Sequence, residues 1–299
     1  LAYADAFFIW IKTKHKQEKS GKLAFVINME PESIMIKIAK EMLTMKGYKA
    51  LDMDMKAKHG NGMQYEMGKW YTIEGKVVPC ENGYHFCETI EEINGYCSIK
   101  DSRLFEIEAD GKIVRHNNKY AAEKIRLVRE LTKGEIYDYF KQNQEKFLKS
   151  KDSYVRKAVA EQGCGLDTLV NDENDWVRMA VAEQGYGLDV LINDEDFFVR
   201  ITVAEQGYDL NVLVRDKSRH VRHAVAKQGY GLDILISDKD PDIRREVAKQ
   251  GYGLDVLIND EDYLVRATVA SKGYGLNILI NDADSFVKEI AQEMLKQQQ

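Results

Sequence analysis

The rhythm of apolar and polar positions changes at about Lys151. From there, a β-branched residue followed by arginine recurs every 22 residues: Val155-Arg156, Val177-Arg178, Val199-Arg200, Val221-Arg222, Ile243-Arg244 and Val265-Arg266, with Val287-Lys288 as a seventh copy. Three residues ahead of each pair stands a capping side chain: Asp152, Asn174, Asp196, Ser218, Asp240, Asp262 or Asp284. Such residues accept a backbone N–H that the first helical turn leaves without a partner. Pro241 falls at a first helical position, where its missing N–H costs nothing. Val155, Val159 and Ala160, and their equivalents in later copies, place an apolar stripe on one face. Gly163, Gly185, Gly207, Gly229, Gly251 and Gly273 then supply the left-handed stop, followed by Cys164 in the first copy and tyrosine in the later ones. The pattern predicts a helix of about ten residues per unit. A shorter element follows on Leu166, Leu169 and Val170, as α-helix or 3₁₀ turn. One such unit cannot bury both stripes, whereas stacked units can. The expected architecture for 151–299 is an all-α, right-handed solenoid of seven repeats.

Upstream, residues 132–150 predict one bridging helix that covers the first repeat. It opens with a capping box, Thr132-Lys133-Gly134-Glu135, and carries Ile136, Tyr139, Phe140 and Phe147 on its apolar side. Residues 45–131 lose the helical period. Strand-like stretches occur at 48–51, 69–73, 76–79, 104–108, 112–115 and 124–130, with a short helix at 88–93. Glu74-Gly75 and Asp110-Gly111 read as hairpin turns between them. This region is expected to be a small α+β domain. Residues 1–44 read as an N-terminal extension outside the native protein, with Met29, Met42 and Met45 as competing starts. A helix from Pro31 to about Thr44 is the contrary reading of the same segment.

Charge divides unevenly. From Lys151 onward there are 18 Lys and Arg against 27 Asp and Glu, a net of −9 in a chain whose total is −6. An acidic solenoid speaks against nucleic acid as a partner. The local exception is a basic patch at Arg215, Lys217, Arg219 and Lys227, with Arg222, His220 and His223 among them. No stretch of about 18 apolar residues is present, so no membrane span is expected. With no secretory signal, the four cysteines are expected as cytoplasmic thiols.

Candidate chemistry gathers in Cys80, His85, Cys87 and Cys97. These are metal-ligand types, but the closely spaced cysteine pair of a zinc knuckle is missing, so no metal is expected. His85, Tyr71 and Cys87 are the catalytic candidates, as acid–base groups and a nucleophile. No cofactor is expected.

Four resemblances bear on these readings. Asp172, Asp194, Asp216, Asp238 and Asp260 precede Arg178, Arg200, Arg222, Arg244 and Arg266 by six residues. That rhythm resembles the HEAT repeat and implies a structural ladder. The short period and stunted second helix resemble the leucine-rich repeat variant. The first half is similar to a small uncharacterised domain of bacterial and phage proteins. It shares Gly47-Tyr48-Lys49-Ala50, Tyr65-Glu66-x-Gly68-x-x-Tyr71, the Cys80 to Cys87 run, Glu108-x-x-Gly111-x-Ile113 and Ala121-Ala122-x-x-Ile125. Gly83-Tyr84-His85-Phe86 also resembles a strand of ADP-ribosyltransferases, although Asn118-Lys119-Tyr120 stands where those enzymes place a glutamate. The functional expectation is a protein-interaction scaffold of phage or mobile-element origin, with a protein partner on the solenoid surface. The alternative is a nucleotide- or protein-modifying enzyme of ADP-ribosyltransferase type that the solenoid targets.

Overall fold

A computed structural model describes residues 44–58 and 62–297. The chain divides at Met45, and residues from Lys46 on form one compact unit. The expectations for residues 1–43 lie outside the described residues.

The unit opens on a five-stranded sheet built from β1 (Met45–Leu51), β2 (Trp70–Thr72), β3 (Tyr84–Phe86), β4 (Arg103–His116) and β5 (Lys119–Glu130). Neighbours run β1-β4-β5-β2, and β3 pairs with a second stretch of β5. The long β4–β5 hairpin is the backbone of the domain. Leu104, Phe105, Ile107 and Ala109 from one strand, and Ala121, Ala122, Ile125 and Leu127 from the other, are buried. A short helix, α1 (Ile90–Ile93), follows β3.

One expected turn and one expected strand differ from the structure. Asp110-Gly111 is a bulge inside β4, because Asp110 pairs with Lys124 and Ile113 with Ala122, leaving two residues opposite Glu123. Gly111 has φ +75°, and a Cβ there would lie 2.7 Å from the Glu123 carboxylate, so the glycine serves the bulge rather than a reversal. The reversal comes at Asn117-Asn118, with Asn117 at φ +54° and His116 paired to Lys119. Residues 76–79 form no strand. Asn82 holds this stretch instead, its amide donating to the carbonyls of Glu74 and Lys76.

The bridging segment is two helices, α2 (Lys133–Gln142) and α3 (Gln144–Leu148), broken at Asn143. The break lets Phe140 and Phe147 meet at 5.6 Å between ring centres, with Tyr139 against both. These side chains join the sheet domain and the first repeat in one apolar cluster.

Beyond it, long and short helices alternate. The long ones are α4 (Ser153–Glu161), α6 (Asp175–Glu183), α8 (Phe197–Glu205), α10 (Arg219–Lys227), α12 (Pro241–Lys249), α14 (Tyr263–Ser271) and α16 (Ser285–Gln297). The short ones are α5 (Leu166–Leu169), α7 (Leu188–Leu191), α9 (Leu210–Leu213), α11 (Leu232–Leu235), α13 (Leu254–Leu257) and α15 (Leu276–Leu279). Each long helix packs on the long helix that follows. Aspartate or asparagine caps most of them through the N–H two residues on, as from Asp152 to Tyr154 at 2.9 Å. Ser218 makes no such side-chain bond. Each short helix starts after a left-handed residue, glycine in five of the six cases and Asp209, at φ +40°, in the other. A Cβ at Gly253 would fall 2.2 Å from Ile236, which shows how closely consecutive units approach at this corner.

Candidate functional site

The sheet domain holds a cleft of about 520 Å³. Its lining comes from β1, Ala57, Lys58, Met63, Tyr65, Ile73, the 80–83 loop, β3, residues 93–97 and the first residue of β5. Pairing of Tyr48 with Cys87 brings β1 beside β3. At Gly47 a Cβ would meet the Cys87 carbonyl and the Phe86 ring at 2.5 Å. Only glycine lets the two strands come this near.

Four of the sequence-predicted residues, Cys80, His85, Cys87 and Cys97, line this one cleft. Tyr71 does not. Its hydroxyl accepts the Glu66 N–H at 2.8 Å, and its ring lies edge-on to Tyr65 and Tyr84 behind the wall. Among the described residues no three His, Cys, Asp or Glu side chains cluster as a metal site.

The chemistry of the candidates is set by burial. His85 Nε2 accepts the Cys80 N–H at 3.0 Å, which places the ring proton on Nδ1. Burial, and then the positive charges of Lys119, Lys49 and His116, push its pKa down to about 4. At neutral pH the imidazole is an uncharged brace for the 80–85 loop. Cys80 holds a left-handed backbone at φ +67° to make that contact. The Cys87 thiol is pushed up to about 12, by burial first and then by Glu92 and Cys97, with Lys49 and Lys119 offsetting only part. Cys97 is raised by burial too. Cys87 and Cys97 therefore face the cleft as thiols rather than thiolates, and a thiolate is what nucleophilic chemistry requires.

Sequence reading passed over the cations. Lys49 donates to the His85 carbonyl at 2.7 Å, lies 5.3 Å from the Tyr65 ring centre, and is lowered to about 8 by burial. Lys119 sits 4.7 Å over the Tyr96 ring. Lys58 donates to the Asp101 carbonyl at 2.5 Å. Lys49 belongs to the Gly47-Tyr48-Lys49-Ala50 run, the signal that could have drawn attention to it.

In the helical array each ladder arginine holds a carboxylate and at least one backbone carbonyl. The guanidinium of Arg178 grips the carboxylate of Asp194, not Asp172, at 2.6 and 2.8 Å. Its remaining nitrogen donates to the backbone carbonyl of Asp172 at 2.7 Å. The six-residue interval is thus a carbonyl contact, and the carboxylate lies sixteen residues ahead. The same arrangement links Arg200 to Asp216, Arg222 to Asp238 and Arg244 to Asp260. It also includes two residues outside the six-residue list, Arg156 on Asp172 and Asp282 under Arg266. Each aspartate further accepts the N–H two residues on, as Asp172 does from Asn174 at 2.9 Å.

The residues of the basic patch differ in their surroundings. Arg219 pairs with Asp240 at 3.0 Å and Asp242 at 3.7 Å, and Arg222 is buried in the ladder. Lys227 lines a groove of about 310 Å³ with His220, His223 and Glu205, a groove that Arg215, Lys217 and Arg219 do not line.

Among the described residues, no helix is long and apolar enough to cross a membrane. Residues 45–138 match the family model of a domain of unknown function, DUF7666. A search of curated proteins finds none that matches the chain.

Proposed function

We propose that the chain is a cytoplasmic protein-interaction scaffold, in which a right-handed solenoid of 22-residue, HEAT-like or leucine-rich-variant-like units carries the small α+β module. One observation carries this reading. Tyr186, Tyr208, Tyr230, Tyr252 and Tyr274 recur as exposed side chains in consecutive units, with Val190, Val212, Val256 and Ile278 exposed four residues after their tyrosines. Tyr230 reaches back to the Asn211 side chain of the preceding short helix, so the column extends across the joint between units. Asp189, Asp233 and Asp255 are exposed beside it. Repeated aromatic and aliphatic groups edged by carboxylates suit a basic, amphipathic polypeptide.

The test is a photo-crosslinking residue at Val256 in the full chain, with and without Tyr208→Ser, Tyr230→Ser and Tyr252→Ser together. Capture of a discrete basic protein, lost in the triple variant, supports the scaffold. Capture unaffected by the three changes sinks it. The second reading is an enzyme of the first module, and the cleft is the observation that favours it. Against a nucleophilic mechanism stand the uncharged, braced imidazole and the protonated thiol.

A further inference from the structure

The cleft has an electrostatic character that the scaffold reading does not use. Lys49, Lys58 and Lys119 line it, against Glu81 as the carboxylate of the lining. Among the described residues, none of these three ammonium groups is paired with a carboxylate. Their partners are the His85 carbonyl, the Asp101 carbonyl and the Tyr96 ring. Four other cations of the sheet domain, Lys69, Arg103, Arg126 and Arg129, are instead bonded to glutamates. Three uncompensated cations in one concavity of an acidic chain form a local field that attracts anions.

The remaining walls narrow the class of anion. Tyr65, Tyr84 and Phe86 are buried aromatic walls, and Tyr96 is half-buried with a lysine over its ring. The cleft falls in the range of about 300–1,000 Å³ typical of small-molecule sites, larger than a bare phosphate needs and too small for a folded partner. The uncharged His85 adds no competing positive site, and the protonated thiols of Cys87 and Cys97 add no negative charge to repel an anion.

We propose that this cleft binds a small organic phosphate bearing a planar ring, of the size and kind of a mononucleotide, with Lys49 and Lys119 on the phosphate and Tyr96 against the ring. The assignment stands apart from the scaffold reading, since it concerns binding in the sheet module and needs neither a protein partner nor catalysis. Burial of Lys49 supports it. An ammonium whose pKa burial lowers to about 8 gains most from an arriving dianion.

The experiment is calorimetric titration of the full chain with the four ribonucleoside 5′-monophosphates, a nucleoside and inorganic phosphate. At least one monophosphate is expected to bind tenfold or more tightly than its nucleoside and than phosphate. Lys49→Met and Lys119→Met should each weaken it at least tenfold, with Lys49→Arg restoring part of the loss, and with the thermal midpoint held in all three. Tyr96→Leu should weaken the monophosphate while leaving phosphate unchanged. Binding of none of the four, phosphate binding as tightly as the best of them, or affinity untouched by both lysine changes overturns the assignment.

Discussion

Both regions tie their elements together with two-point arginine–carboxylate grips, and the grips differ first of all in burial. In the sheet, Arg129 holds Glu106 at 2.9 and 2.6 Å, with side chains 46% and 35% exposed. In the array, Arg200 holds Asp216 at 2.7 and 3.0 Å, with side chains 4% and 9% exposed. The distances match, but the consequence of losing one partner does not. An exposed carboxylate returns to water, whereas a buried one stays among apolar side chains with its charge unanswered. The grip in the array also closes on a backbone carbonyl, Asp194, at 2.6 Å, so removal strands that group as well.

The sharpest test of this contrast is Arg200→Ala. It is expected to cost about 3–5 kcal/mol in denaturant unfolding, against a much smaller loss for the exposed Arg129→Ala. Replacing both Arg200 and Asp216 by Met and Leu should recover most of the loss. Equal costs for the two single changes would erase the distinction. Because neighbouring units can unfold separately, hydrogen exchange across α6, α8 and α10 is the companion measurement.

The two regions also divide in acid. The unfolded chain protonates His85 near pH 6.5, while the folded imidazole refuses the proton until about pH 4. Stability of the sheet domain therefore falls as pH drops through that window. Asp216, Asp238 and Asp282 are held below the usual carboxylate range, Asp216 and Asp238 by their arginine against the opposing effect of burial, and Asp282 chiefly by Arg266. Their contribution is present above the ordinary carboxylate pKa and is lost only as pH falls through the lower folded value. A swing of about 2 kcal/mol between pH 7.0 and 4.5, reduced in His85→Gln, is expected for the sheet domain. A swing of the same size in His85→Gln, or one that begins in the array, would contradict it.

Smaller still is the expected gain from Asp209→Gly. Five units place glycine at this left-handed corner and one places aspartate, so the change should stabilise by about 0.5–1 kcal/mol in the same unfolding assay. A loss would mean that the aspartate side chain holds something the corner needs. Near zero is the expectation for Tyr208→Ser on stability, because that side chain is already 38% exposed. A clear drop in thermal midpoint would make the tyrosine column packing rather than surface.

Repetition explains what could be read in advance. The long helices of the array, their caps and their glycine stops were legible because each chemical choice recurs unit after unit, so chance agreement is improbable. The partner of each arginine was not. Six and sixteen residues are complementary parts of one 22-residue interval, and a one-dimensional pattern cannot say which neighbour faces the guanidinium. The sheet domain offered each signal once. Asp110-Gly111 carries the composition of a tight turn, and only the place of Glu123 across the ladder makes it a bulge. The break at Asn143 depends on Phe140 and Phe147 finding each other. Cys80, His85, Cys87 and Cys97 stood out by residue type. Lys49, Lys58 and Lys119 did not, among 43 basic residues, until folding brought them to one concavity.

The arginine that looks both six residues back and sixteen ahead has a consequence for how the gene can change. Excising residues 201–222 would set Arg200 sixteen positions before what is now Asp238, so the new joint would inherit the same grip. Its carbonyl contact to Asp194 would be untouched. Duplication of a unit works in the same way. An insertion of any other length leaves one guanidinium facing no carboxylate and one carboxylate facing no guanidinium. Recombination between copies is therefore tolerated in whole units and penalised in fractions, which lets the reach of the array lengthen or shorten while its cross-section stays fixed.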